Sequence, residues 1–464
     1  MSETSLDDMI RSPMTGGPEK DRGHWAGRIG FILAAAGSAI GLGNIWKFPY
    51  ITGEYGGGAF VLVYLGCVLI VGLPLMLAEV TIGRASERSP VGAFTRLHRP
   101  GSPWGLAGAL GVLSAFLILA FYSVVAGWAM AYVFKSAAGF TGAPEAIQDR
   151  FTALVMSPGQ SILWHTLFML MTILIVCGGV RKGIERWSRI LMPGLFLILI
   201  GLLAYGLLAT GGGRQALEFL FRPNFHKLSA EAALSALGHA FFTLSLGMGA
   251  MITYGSYLRR DQSIVRGAIA VSFLDTLIAL MAGAAIFSLV FNYNMEPGQG
   301  VGLIFKTLPV LFAQTGPWVA VPFFLLLTFA ALTSAISLLE VAVSYLIDSR
   351  GWSRTKATLL VGSVIYAVGI PCAVTAWTFP FRGQEQGLLD ILDFVTTNYM
   401  LPTGGLLICL FTAWVMKRAR IAEELGSDRF MTRSLIFTLR YITPIAVLAV
   451  LLHGLHLLPF MTYK

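Results

Sequence analysis

The sequence predicts an all-α polytopic membrane protein. It has eleven transmembrane helices, spans 1–5 and 6–10 forming an inverted five-helix repeat with helices 1 and 6 unwound. Three observations carry this prediction. The 464-residue chain is 56% hydrophobic and only 12% charged, whereas soluble chains hold about 25% charged residues. Its apolar residues are gathered into runs long enough to cross a hydrocarbon core, which takes about 20 residues. Two of those runs, the first and the sixth, are broken by clustered glycines and polar side chains.

The elements follow in chain order. Residues 1–23 are polar and rich in Gly, Pro, Ser and charge; they lack the apolar core of a signal peptide and read as a flexible cytoplasmic tail. Residues 24–464 read as one transmembrane domain. Span 1, near Trp25–Tyr50, contains "GSAIGLGNIWKFPY". A glycine in a helix interior costs roughly 1 kcal/mol against alanine, and a lipid-facing lysine about 3 kcal/mol on insertion scales. Gly37, Gly41, Gly43, Asn44 and Lys47 therefore serve something other than crossing the bilayer. Spans 2 to 5 lie near Glu54–Gly83, Leu106–Ala138, Ser161–Gly179 and Ser188–Thr210 and complete repeat one, about residues 25–210. Span 6, near Leu234–Tyr257, carries Gly238, His239, Thr243, Ser245, Gly247 and Gly249 in "GHAFFTLSLGMGAMITYGSYL". Spans 7 to 10 lie near Gly267–Phe291, Trp318–Ile347, Ala357–Pro380 and Leu388–Met416 and close repeat two, about residues 234–416. An extra span lies near Leu435–Leu458.

Glycine-interrupted spans at matching positions of two halves point to an inverted-repeat transporter. Unwinding exposes carbonyls that can hold a dehydrated cation, and half-helix N-termini that attract a carboxylate. Such backbone is tolerated in a membrane only where it lines a cavity. Close packing of small residues would account for either span alone; it accounts poorly for two matched spans that both carry polar side chains.

Most of the 33 Lys and Arg residues fall in the tail and alternate loops, which by the positive-inside rule places the N-terminus in the cytoplasm. An odd number of spans then puts the C-terminus outside. The net charge of +9 is largely this signal, and no nucleic-acid partner is expected from it. Cys67, Cys177, Cys372 and Cys409 sit in separate spans without metal or redox spacing and read as buried small hydrophobes. No Walker loop, histidine cluster or nucleophile motif is present, so the chain is not expected to be an enzyme or to hydrolyse ATP.

"GSAIGLGNIWKFPY", "GGGAF", "FFTLSLGMGA" and "FAALTSAIS" resemble the neurotransmitter:sodium symporters, in particular their bacterial amino-acid transporters of the leucine-transporter fold. The likeness covers spans 1–10. It implies two sodium sites. The first would use the Ala39 carbonyl, Asn44, Thr243 and Asp275. The second would use the carbonyls of Gly37, Ile40 and Ala330 with the hydroxyls of Thr333 and Ser334. Neutral oxygens suit a hard cation, although hydroxyls of this kind also bond back to the preceding helical turn.

Chloride-dependent relatives have asparagine where Asp275 stands and a serine where Ala279 stands. A fixed carboxylate can supply the charge that chloride brings elsewhere, so the resemblance implies chloride-independent transport. A structural ion pair is the other use of a buried carboxylate.

For the substrate, the resemblance implies that Leu42, Gly43 and Tyr122 meet a carboxylate, and that Ala39, Phe242, Thr243 and Ser245 meet an ammonium. Ile118, Tyr122, Phe242, Met248 and Leu338 would line the side-chain pocket. Gly41 replaces the aspartate of monoamine transporters, so the substrate must bring its own carboxylate. The expected substrate is a hydrophobic, aliphatic or aromatic L-amino acid.

The outer gate would combine Lys47 and Asp393 with Tyr122, Phe242 and His239. Lysine stands in Lys47 for the family's arginine and histidine in His239 for its glutamine, so the two changes offer a compensating pair. His239 reads either as a pH-sensitive element or as a neutral, hydrogen-bonded ring. The inner gate would combine Arg22, Trp25 and Asp348. Glu79 would accept from the unwound backbone of span 6, and Gly183 with Pro193 would mark local unwinding of span 5.

The sequence is thus expected to encode a sodium-coupled symporter of a bacterial inner membrane, a monomer or weak homodimer in the lipid bilayer. A proton-coupled amino-acid transporter and a non-transporting amino-acid sensor remain the competing readings.

Overall fold

Apolar runs bounded by glycine, proline and charge become long helices in the computed structural model, which describes residues 23–293, 302–426, 429–455 and 457. Among the described residues, nine continuous helices are long and apolar enough to cross a membrane: Gly58–Ser86, Gly105–Ala137, Pro158–Cys177, Val180–Ala209, Ile264–Asn292, Pro317–Arg350, Arg354–Ala373, Leu388–Val415 and Arg429–Gly454. They are spans 2 to 5 and 7 to 11 of the sequence. Span 1 is a tenth, split into Arg28–Ala39 and Gly43–Glu54 and bent by 51° at the break. Span 6 is split into Ala230–Thr243 and Ala250–Gly255. Each half is too short to count as crossing, so length alone yields ten spans rather than the expected eleven.

Several boundaries differ from expectation, and three show why. Span 2 begins at Gly58, because Tyr55 ends the helix before it and Gly56 and Gly57 turn the chain with positive φ. Span 5 begins at Val180, eight residues before the expected Ser188. Its charged start stays helical because Glu185 turns inward and pairs with Arg189 at 2.6 Å. Span 9 ends at Ala373 instead of continuing to Pro380. Thr378–Phe381 is there a strand, β1, paired antiparallel with β2, Gln384–Gly387, with Phe381 opposite Gln384. Arg382 and Gly383, both at positive φ, make the two-residue turn that matches strand twist. The aromatic and β-branched residues of "TAWTF" are as apolar as a span end, which is why composition alone extends the helix.

Span 3 packs along most of span 8, and span 8 also lies against the first half of span 1 and against span 5. The polar residues of spans 1, 6, 7 and 8, including Asn44, Thr243, Asp275 and Thr333, are buried in this centre. Spans 5 and 11 turn Leu197, Leu208 and Ile445 outward, side chains suited to lipid. The four cysteines are free.

Candidate functional site

The two breaks are made by local backbone chemistry. The first half of span 1 stops at Ala39, where Ile40 takes an extended ψ of 95° while its N–H still closes the last turn on Ala36. In span 6 the chain leaves the helix after Thr243, with Ser245, Gly247 and Gly249 all at positive φ. Gly247 has no alternative: a Cβ there would stand 2.4 Å from the Leu401 carbonyl oxygen. Its N–H donates to Glu79 Oε1 at 2.7 Å, the role expected of that carboxylate. The Ser245 hydroxyl ties the breaks together by donating to the Ser38 carbonyl at 2.8 Å.

Beside the breaks lies a buried carboxylate cluster. Asn44 Nδ2 donates to Asp275 Oδ1 at 2.7 Å and to the Asp275 carbonyl at 3.0 Å, and the Thr243 hydroxyl reaches the same Oδ1 at 3.0 Å. Tyr64 donates to Oδ2 at 3.4 Å. Asn44 Oδ1 in turn accepts from Gly41 N–H at 3.1 Å, which places it at the break. Asn44, Thr243 and Asp275, expected at the first sodium site, are thus in one hydrogen-bonded group, and Ala39 lines the adjoining cavity with Thr243. One carboxylate with amide and hydroxyl oxygens is a donor set that fits a hard monovalent cation. Ala279, one turn beyond Asp275, offers no polar atom.

The residues expected at the second sodium site meet where spans 1 and 8 touch. The Ser334 hydroxyl donates to the carbonyls of Gly37 at 3.3 Å and Ser38 at 3.1 Å. Thr333 donates back to Ala330 at 3.0 Å and to Phe329 at 3.2 Å. A Cβ on Gly37 would lie 3.0 Å from Thr333 Cβ, so the two backbones meet only through glycine. Ile40 turns its carbonyl out of the helical direction at the adjacent break.

Beside these clusters lies a small cavity. Every residue expected to bind substrate borders it: Leu42, Gly43 and Tyr122, Ala39, Phe242, Thr243 and Ser245, and the apolar Ile118, Met248 and Leu338. The Tyr122 hydroxyl accepts from Leu42 N–H at 3.2 Å and so stands at the break. Ser38, Gly41 and Ser334 also border the cavity. Ser38 was the one with no signal beyond its place beside Ala39.

The gates are only partly as expected. Lys47 sets its ammonium 4.8 Å from the Phe242 ring centre and forms no ion pair with Asp393 among the described residues. Asp393 Oδ1 accepts instead from Thr397 at 3.1 Å. A single ammonium on a flexible stem finds the aromatic face, whereas a planar guanidinium would favour a two-pronged pair. His239 is 2% exposed, lies against Phe48 and Tyr64, and has no hydrogen-bond partner for either ring nitrogen. Among the described residues it makes neither the hydrogen bonds of a neutral, hydrogen-bonded ring nor one to Lys47. Trp25 is fully buried, donating from Nε1 to the Tyr254 carbonyl at 3.0 Å and packing edge-on against Tyr254 and Tyr257. Asp348 accepts from Ser89 N–H at 2.6 Å. Arg22 lies outside the described residues.

Sequence reasoning missed Tyr64 and the pair Glu340 and Arg354. Glu340 is fully buried, accepts from Tyr257 at 2.6 Å, and takes two hydrogen bonds from Arg354 at 2.7 and 3.0 Å. A carboxylate inside span 8 was itself a signal, since intramembrane charge is functional by default.

A sequence model of the sodium:neurotransmitter symporter family matches residues 22–142 and 150–464. The chain is 38% identical over 445 residues to an uncharacterised sodium-dependent transporter, YhdH, of Bacillus subtilis, covering 94% of this chain and 98% of that one. An uncharacterised sodium-dependent transporter of Methanocaldococcus jannaschii is 32% identical, with 88% and 84% covered. The crystal structure of MhsT in complex with L-phenylalanine superposes with a TM-score of 0.86 at 44% identity, covering 93% of this chain and 100% of that one. This neighbour has the leucine-transporter fold, and the related proteins are secondary transporters rather than enzymes. The chain belongs to the sodium:neurotransmitter symporter family, and it is a sodium-dependent membrane transporter.

Proposed function

We propose that this protein is a sodium-coupled symporter of hydrophobic L-amino acids that works by alternating access, uses two sodium sites and needs no chloride. One observation carries the reading. The cavity at the two helix breaks is bordered by Gly41, by the Leu42 and Gly43 backbone and the Tyr122 hydroxyl, and by the apolar Ile118, Met248 and Leu338. Gly41 brings no carboxylate of its own, and a Cβ there would lie 2.6 Å from Ser334 Oγ and 2.9 Å from the Tyr122 hydroxyl, so in this site the substrate supplies the carboxylate. A charged substrate side chain would stand unpaired against the apolar wall, at a cost that neutral ones avoid. The similar MhsT structure holds L-phenylalanine, which fits the same chemistry.

Sodium completes the charge balance. Asp275 offers the first site one fixed negative charge, and the substrate carboxylate a second. Occupancy by both ions and substrate biases the equilibrium between outward and inward forms by their differential affinity. In this reading residues 24–464 form one transmembrane domain of a bacterial inner membrane, with residues 1–23 a cytoplasmic tail, the C-terminus outside, and the protein a monomer or weak homodimer.

Equilibrium binding of radiolabelled leucine and tryptophan to purified protein, in sodium and in choline buffer, tests the proposal. Binding confined to sodium is expected, and the tighter ligand ranks the pocket. Equal binding in choline would overturn the sodium assignments and favour proton coupling.

A further inference from the structure

Span 5 carries a buried carboxylate that the binding site does not use. Glu185 is 2% exposed and ends the π-helical turn Val180–Glu185. Its Oε2 accepts from the backbone N–H of Ala26 at 2.9 Å, and its Oε1 accepts from Arg189 at 2.6 Å. Two residues beyond Ala26 the first half of span 1 begins at Arg28, with no side-chain cap and no acidic residue in its first turn. The open end of a helix carries unpaired N–H groups and the positive end of its dipole. Glu185 supplies, from another helix, the anion that this end lacks.

Steric fit fixes the same contact. A Cβ on Gly30 would lie 2.1 Å from Glu185 Oε1 and 2.5 Å from its carboxyl carbon, so the carboxyl group fills the space that glycine leaves. On the other side of the chain Trp25 is bound to Tyr254 and Tyr257 of the span 6 region. The start of span 1 is thus gripped from two sides, by span 6 through an indole and by span 5 through a carboxylate.

We propose that Glu185 is the catch by which span 5 holds the cytoplasmic end of span 1 closed, and that releasing it is a step in opening the inner pathway. The proposal rests on the alternating-access reading above. Glu185 belongs to the turn Val180–Glu185 at the start of span 5, so unwinding of that turn would draw the carboxylate away from Ala26. Arg189 positions it: the guanidinium is 47% exposed, fixes Oε1 and leaves Oε2 for the backbone. Glu185 is a positioning residue; it lies outside the substrate cavity.

Hydrogen–deuterium exchange read by mass spectrometry tests this on the full-length protein in sodium buffer. Glu185→Ala is expected to raise exchange of the amides of residues 26–33 about tenfold or more, as loss of a hydrogen bond to a charged group implies. Amides of the span 3 interior should stay as in the wild type. Gly30→Ala, which expels the carboxylate without removing it, should give the same local rise. Arg189→Gln should give a smaller one. Unchanged exchange at 26–33 in Glu185→Ala, or a rise spread equally over span 3, would overturn the catch. Should Glu185→Ala fail to fold, Gly30→Ala and Arg189→Gln decide by the same criterion. No substrate enters the measurement. Exchange indifferent to sodium in the wild type would count against sodium coupling, while the comparison of variants still decides on Glu185.

Discussion

Replacing Asp275 by asparagine isolates the one fixed negative charge at the proposed first sodium site. The retained Oδ1 can still accept from Asn44 and Thr243, now at 2.7 and 3.0 Å. The new amide can donate to the Tyr64 hydroxyl, which sits 3.4 Å from Oδ2. Shape and hydrogen bonding are thus conserved and only charge is lost. For an ion about 4 Å from the carboxylate at an effective dielectric of about 20, the lost attraction is roughly 4 kcal/mol. Relaxation and incoming water reduce this to about 2 to 4 kcal/mol, a fall in sodium affinity of roughly 30- to 1,000-fold. Sodium titration of radiolabelled leucine binding measures it, in chloride and in gluconate. The wild type should respond alike in both anions. In Asp275→Asn, chloride should recover part of the lost affinity by replacing the missing negative charge. A sodium half-saturation within threefold of wild type would refute the assignment of Asp275, and a chloride requirement in the wild type would refute chloride independence.

Gly41→Asp is expected to abolish leucine and tryptophan binding in sodium, since its Cβ alone would meet Ser334 Oγ at 2.6 Å and its carboxylate would occupy the place of the substrate's; retained binding in the same assay would show that the cavity is not the substrate site. Arg84→Gln tests a part of the fold remote from that cavity. Arg84 donates to Glu424 Oε2 at 2.7 Å with both side chains buried, so removing it leaves a buried carboxylate unpaired at a cost of about 3–5 kcal/mol. Thermal inactivation in detergent should come markedly earlier, and Glu424→Gln in the same chain should restore much of the loss.

Much of the architecture and of the site is legible in the residues themselves. Apolar length predicts the spans because the hydrocarbon core admits only backbone whose hydrogen bonds close internally. The breaks at Gly41–Gly43 and Gly247–Gly249 are legible for the converse reason, since glycines and polar side chains in a bilayer need a cavity to justify them. The residues expected to bind substrate border one cavity in the structure. What composition could not decide was where apolar sequence stops being membrane. "TAWTF" reads as the end of span 9, yet Thr378–Phe381 pairs as a strand, with Arg382 and Gly383 at positive φ turning the chain back on itself. Nor could it decide partners. Lys47 meets Phe242 rather than Asp393, His239 lies between aromatic rings, and Glu185 reaches Ala26 from 159 residues away. Polarity and spacing are local properties that the sequence alone determines. Which acceptor a buried charge finds depends on how the bent and unwound helices pack, and only the tertiary structure settles that.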